Sequence, residues 1–287
     1  MPHVDRAVLE IADSILQAAG LLALLVVAIC SLRSGTWRNP LEHRSAAAPP
    51  GAFVVLVFAF AAFVLLQNAG VQALGLTDEQ LAPPGSPAFV QILAVISIGQ
   101  LVLSTAVLFW LTIPRRAVTQ STLRVSRIRS TSAGLLGGLI AVPVTALQLA
   151  FVVTIWQALR PHEAPPTHVV LQGMQSQAGG PWGMAVLLIS AVVAAPLFEE
   201  VCFRGLLLGG LIAVSGRPLL SVVISSAIFG LIHWSNPQTV LPLFTFGLLL
   251  AIVRTRYGLG AAFFAHALFN ARTMAIALLN PEMIDAG

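Results

Sequence analysis

The chain has no lysine: all fifteen of its basic residues are arginine. Charge of either sign is scarce, at 9% of 287 residues, where a soluble domain carries about 25%. That scarcity excludes an ordinary soluble domain. Cysteine is nearly absent too. Cys30 and Cys202 lack CxxC spacing and sit in apolar runs, which excludes a disulfide framework and a cysteine-based metal cluster. Both are read as small buried hydrophobes. No HExxH helix, no GxSxG elbow and no serine–lysine pair in a recognisable context occurs, and Ser225 and Ser226 are read as small packing residues. The first residues, with Asp5, Arg6, Glu10 and Asp13, offer no positive segment ahead of the first apolar run, so that run is expected to remain as a span. The missing lysine, beside abundant Ala, Gly and Arg, fits a GC-rich genome and sets the expectation of a bacterial plasma membrane.

What the chain does contain is apolar residues, 57% of the total, with a mean hydropathy of +0.90. A membrane helix needs about 20 predominantly apolar residues. Eight runs approach that length: Ile15–Leu32, Ala52–Leu66, Ala88–Ile113, Ala133–Trp156, Trp182–Ala213, Leu219–Trp234, Thr239–Val253 and Leu259–Leu279. The expected fold is therefore an all-α polytopic transmembrane helical bundle of about eight spans. The fifth run is too long for one untilted span, and must tilt, break or project beyond the bilayer.

A Pro/Gly/Gln-rich connection, Gln157–Pro181, is the strongest internal boundary, and a short interfacial helix is expected in it near Val169–Met174. It divides a four-span region, residues 1–160, to which no role is assigned, from a motif-bearing core at 182–280. Both belong to one integrated membrane domain without internal repeats. Arginine collects in alternate loops: Arg33, Arg38 and Arg44, then Arg115, Arg116, Arg124, Arg127 and Arg129, then Arg217, then Arg254 and Arg256. The positive-inside rule puts those loops in the cytoplasm and both termini outside it. This use of arginine, with anionic lipid as its second contact, takes the place of nucleic-acid binding.

Three polar elements interrupt the last four apolar runs. Ionisable groups in a membrane cost roughly 2.5–3.5 kcal/mol each on insertion scales, so each is a candidate functional group. The first is AAPLFEEVCFR, Ala194–Arg204. On a helix, Glu200 and Arg204 share a face at i, i+4, whereas Glu199 diverges by about 100°. The spacing thus predicts a structural pair, Glu200–Arg204, and a Glu199 free to face a cavity as a general base. A single buried ion-pair network that only fixes packing would carry the same residues. The second element is FGLIH, in which Phe229 and His233 share a face, and the third is HALFN, in which His266 and Asn270 do. Gly216 lies midway between Glu199 and His233, so an antiparallel hairpin brings those two to one depth. His266 sits only about 13 Å from its own turn, against about 25 Å for Glu199, at 1.5 Å per residue.

Two chemistries fit these groups. Glu199 and His233 can activate a water while His266 and Asn270 donate to an oxyanion. Alternatively, Glu199, His233 and His266 can ligate Zn²⁺. Arg272, just beyond Asn270, faces away from it and has no role in the pattern.

The ordered set EExxxR (Glu199, Glu200, Arg204), FxxxH (Phe229, His233) and HxxxN (His266, Asn270) resembles the CPBP family, the CAAX prenyl endopeptidase and bacteriocin-processing (Abi) intramembrane proteases. The resemblance covers about Trp182–Asn280. It implies an all-helical membrane protease acting on membrane-associated or lipidated protein substrates. Glu199 becomes the base, His233 its partner on the water, and His266 with Asn270 the oxyanion or ligand pair. Glu200, Arg204 and Phe229 support them. The family has been described both as metalloproteases and as glutamate-dependent enzymes. The metal-free reading is preferred here, with zinc as the other option. A proton- or ion-coupled transporter using the acids and histidines as a relay, or a catalytically silent scaffold, would carry the same residues. Paired broken helices, which a transporter more often has, are not evident.

Overall fold

The computed structural model describes residues 6–34, 47–75, 86–112, 127–177 and 179–279. Arg38, Arg44, Arg115, Arg116 and Arg124, with the loop residues 76–85, lie outside them. The described chain is helical: α1 Arg6–Ser34, α2 Ala52–Ala73, α3 Pro87–Thr112, α4 Arg127–Leu159, a short α5 Val169–Gln175, α6 Gly180–Ser215, α7 Pro218–Leu231, α8 Val240–Tyr257 and α9 Leu259–Leu279. Seven of these are long and apolar enough to cross a membrane. The chain is a multi-pass integral membrane protein.

The sixth expected span is shorter than expected. α7 has 14 residues, about 21 Å at 1.5 Å per residue, against a hydrocarbon core of about 30 Å. It ends at Leu231, and His233 falls in the turn that follows, ahead of the 3₁₀ segment Pro237–Thr239. The expected helix near Val169–Met174 is α5, tied down by buried Met174.

α6 is the hub. Of its most apolar window 61% is buried, compared with 6% for α1, so α6 is the internal helix and α1 a peripheral one. Its 36 residues hold together without a break, but two stretches are wound as π-helix, Ser190–Ala194 and Glu200–Leu207. Pro196 gives a reason for the first. It has no N–H and its ring opposes the carbonyl one turn back, so regular α winding cannot run through it. Gly216, with φ of 62° at the C-cap of α6, then turns the chain into α7.

α4 and α9 approach backbone to backbone. A Cβ on Gly134 would lie 2.5 Å from the Ala261 carbonyl oxygen, and one on Gly138 2.8 Å from that of Ala265. This small-xxx-small stripe lets membrane helices pack tightly where hydrophobic burial gives no drive between them. The core around the polar site is aromatic and aliphatic: Phe198, Phe203, Phe229, Phe246, Leu250 and Ala265. Cys202 is buried as expected. Cys30 is not: it lies on the exposed surface of α1, because that helix packs mainly against α4 and leaves the rest of its circumference outward.

Candidate active site

The wide turn at the start of the α6 motif sets the first contact. The Ala195 N–H bonds the Ser190 carbonyl, one residue further back than in an α-helix. The next donor in that register would be residue 196, a proline. The Ala191 carbonyl is therefore left without a helical partner, and Asn270 on α9 supplies one: its Nδ2 donates to Ala191 O at 2.8 Å. A buried carbonyl seldom goes unpaired. One of the two amide N–H groups of Asn270 is thus committed to α6.

The acidic pair divides as its spacing predicts. Glu200 is fully buried, and its Oε1 accepts from Arg204 Nη1 at 3.0 Å, Arg204 being 1% exposed. The same oxygen faces His266 Nδ1 at 2.9 Å. A carboxylate only accepts, so Nδ1 carries the ring proton and Nε2 is left toward Glu199. The Glu199 Oε2 lies 3.8 Å from His266 Nε2, and the Glu199 side chain is 22% exposed. One histidine therefore touches both acids, one through each nitrogen.

Phe229 is the floor of the cluster. The Arg204 guanidinium lies 4.1 Å above its ring centroid, a cation–π contact on a desolvated charge. His233 and His266 meet its edges at 5.2 and 5.9 Å between centroids. Phe246 closes the other side of His266 at 5.2 Å. The FxxxH spacing serves a second purpose: His233 Nδ1 donates to the Phe229 carbonyl at 2.8 Å.

Glu199, Glu200, Arg204, Phe229, His233 and His266 thus form one connected cluster, with Asn270 one turn beyond His266. Two expected pairings differ. The histidine that Glu199 meets is His266, at 3.8 Å, and not His233. The reason is that α7 stops short, and His233, in the turn beyond it, folds back on its own helix end. His266 and Asn270 each give one group to a different partner, the first to Glu200 and the second to the Ala191 carbonyl.

Two groups were missed in the sequence. Arg254, assigned there to a cytoplasmic turn, belongs to α8 and lies within electrostatic reach of Glu200. Two arginines then balance the two acids, which lowers the cost of holding charge in this place. His168, in the connection before α5, lies within electrostatic reach of His233. Its surface is exposed, yet the protein around it desolvates the charged ring; that effect first, and His233 second, lower its pKa from 6.5. Neither residue belongs to a motif or a period that sequence reading could have used.

Among the described residues no three His, Cys, Asp or Glu side chains gather as a metal-binding group. The Nδ1–H bonds of His266 and His233 leave both Nε2 atoms free, as in metal-bound histidines, but Glu199 meets His266 alone. A catalytic zinc needs three protein ligands. The expected set of Glu199, His233 and His266 does not form one in this arrangement, so no step through a metal is derived.

Residues 181–272 match the family model described as type II CAAX prenyl endopeptidase Rce1-like. The stretch runs through α6, α7, α8 and most of α9, contains all three motifs, and is consistent with the CPBP resemblance. It supports protease activity of the CAAX intramembrane type in general. No curated protein and no solved structure matches the chain.

Proposed function

Starting from the Rce1-like match over residues 181–272, we propose that this protein is an intramembrane endopeptidase that hydrolyses peptide bonds of membrane-associated or lipidated protein substrates, with Glu199 as the general base and without a catalytic metal. The observation that carries the reading is the 3.8 Å separation of Glu199 Oε2 and His266 Nε2. A single water oxygen reaches both atoms at hydrogen-bond distance, about 2.8 Å, across such a gap.

Glu199 takes a proton from that water as its oxygen attacks the scissile carbonyl carbon. The C–O bond forms, the tetrahedral intermediate collapses, the C–N bond breaks, and Glu199 returns the proton to the leaving amine. His266, with its Nδ1 proton held on Glu200, accepts the other water hydrogen and aims the attacking lone pair. His233, with its Nδ1–H on the Phe229 carbonyl, keeps Nε2 for the same water or its successor in the second proton transfer. Arg204 pairs with Glu200, and Arg254 lies within its electrostatic reach, so the acceptor of the His266 Nδ1–H is held in place. The acid that orients and the acid that reacts are thereby distinct, although adjacent in sequence.

The test uses the full chain in proteoliposomes. One quenched fluorogenic peptide carries a prenyl anchor and a second carries a single apolar span. Glu199→Gln is expected to lower cleavage at least about 100-fold with little change in thermal midpoint. Cleavage that survives Glu199→Gln overturns the base assignment. Full activity is expected after exhaustive chelation. Activity that chelation removes and zinc restores overturns the metal-free part.

A further inference from the structure

His233 stands on a turn whose outer flank is open: Leu231, Ile232 and Trp234 are all exposed. The buried members of the turn and of the 3₁₀ segment after it are Asn236 and Gln238. Local bonds set the shape of the turn. The His233 N–H donates to the Gly230 carbonyl at 3.1 Å, and the Asn236 N–H to the His233 carbonyl at 2.9 Å. The Thr239 N–H and Oγ1 both donate to the Asn236 carbonyl, at 2.9 and 2.7 Å. The His233 side chain is held locally too, through its Nδ1–H on the Phe229 carbonyl. None of these bonds fixes where the turn sits against the rest of the protein.

Gln238 supplies that fixed point. Its Nε2 donates to the Pro166 carbonyl at 2.6 Å, between positions 72 residues apart. Pro166 lies outside any helix, in the connection between α4 and α6, and that connection is itself tied down as a strap. Trp156 Nε1 holds one end through the Glu163 carbonyl at 3.0 Å, and Gln172 Nε2 holds the other through the Thr167 carbonyl at 2.8 Å. Pro165 and Pro166 stiffen the stretch between. α5 continues from the strap and rests on α6 and α9, with Gly173 against Phe89 and Leu187. The turn that bears His233 is thereby anchored to a braced segment.

Folding stability alone does not account for a glutamine here. Its Oε1 is buried and has no hydrogen-bond partner among the described residues. The cost of that desolvated acceptor offsets what the Nε2 bond gives, so an apolar side chain of the same shape would fold about as well. We propose that Gln238 is a positioning residue for the hydrolysis: by clasping the Pro166 carbonyl it fixes the turn on which His233 stands, and so holds the His233 Nε2 toward the reacting water. The inference rests on the protease reading above. Gln238 touches no reacting atom and acts through His233.

The experiment uses the full chain in proteoliposomes, with kcat, KM and thermal midpoint measured for Gln238→Met and Gln238→Asn. Methionine keeps the length and removes the amide. Asparagine keeps the amide and is one methylene too short to reach the Pro166 carbonyl. Gln172→Met, which cuts a tie of the same kind within the strap, is the control. Both Gln238 variants are expected to lower kcat about 10- to 100-fold with KM within about twofold, the signature of a group misplaced in the transition state. Gln172→Met is expected to keep kcat within about twofold. A second readout needs no turnover. With 5-fluorotryptophan in place of tryptophan, the fluorine resonance of Trp234, assigned by its loss in Trp234→Phe, is expected to broaden or split in the Gln238 variants and to stay single in Gln172→Met. Full kcat in either Gln238 variant, a loss confined to KM, a Gln172→Met as slow as they are, or an unchanged Trp234 resonance overturns the proposal while Glu199→Gln stays inactive. A chain that cleaves neither reporter, or in which Glu199→Gln cleaves normally, overturns the protease reading and the catalytic part of this inference with it, whereas the Trp234 resonance still reports whether Gln238 holds the turn. A Gln238 variant whose midpoint falls is judged by the other.

Discussion

Glu199 and Glu200 are neighbours in sequence with opposite expected behaviour, and the clearest test exchanges their properties. Glu200 is fully buried and its Oε1 is shared by Arg204 at 3.0 Å and His266 at 2.9 Å. Glu200→Ala removes both contacts and leaves Arg204, 1% exposed, as a buried cation whose remaining neighbours are the more distant Glu199 and the face of Phe229. Breaking a buried pair by removing one partner costs about 3–5 kcal/mol, chiefly from the charge left behind. At roughly 2–4 °C per kcal/mol, the thermal midpoint is expected to fall by about 10 °C. Glu200→Gln keeps the shape and one acceptor oxygen, and costs about 1–3 kcal/mol. Glu199 has no comparable anchor: its side chain is 22% exposed and its histidine contact is 3.8 Å long. Glu199→Ala is expected to move the midpoint by less than about 1 kcal/mol equivalent while removing proteolysis. The assay is thermal unfolding in detergent, followed by intrinsic fluorescence, with cleavage measured on the same preparations. A Glu200→Ala protein that melts with the wild type, or a Glu199→Ala protein that melts far below it, would refute the division of roles between the two acids.

Two further outcomes follow from single contacts. Asn270→Ala leaves the Ala191 carbonyl without its donor and is expected to cost about 1–3 kcal/mol; Pro196→Ala returns a backbone N–H to that register, so the cost of Asn270→Ala should shrink in the Pro196→Ala background, and equal costs in both would reject the account of the wide turn. Arg272 clasps Asp13 of α1 through Nε at 2.8 Å and Nη2 at 2.6 Å, with Gln17 Nε2 adding a bond to the same acid at 2.7 Å. Asp13→Ala is expected to cost about 2–4 kcal/mol, below a fully buried pair because about a fifth of each side chain is open, and the Asp13→Arg/Arg272→Asp exchange should recover most of it; an exchange as unstable as the sum of its single changes would count against the clasp.

Much of the architecture was legible because its causes are local. Hydropathy over windows of about 20 residues located the long helices. The Glu200–Arg204 pair followed from i, i+4 spacing, which depends on little beyond helical winding. Arg272 had no role in the pattern, because its partner Asp13 lies on the first helix and no spacing rule links the two. The pairing of Glu199 with His266 in place of His233 was not legible either. It depends on α7 ending at Leu231 and on the winding of α6, and a wide turn inserts about one extra residue and so rotates every later side chain by about 100°.

By itself, then, the sequence determined an all-helical membrane protein, the three motif-bearing segments, and a buried acid–arginine pair with a second acid set apart from it, since hydropathy and short-range spacing are properties of neighbouring residues. Only the tertiary structure decided which histidine meets Glu199, that Asn270 completes the Ala191 carbonyl, and that Arg254 lies within electrostatic reach of Glu200. Those contacts join segments far apart in the chain, and each is set by helix packing and by the two wide turns of α6, which a fixed period of 3.6 residues cannot anticipate.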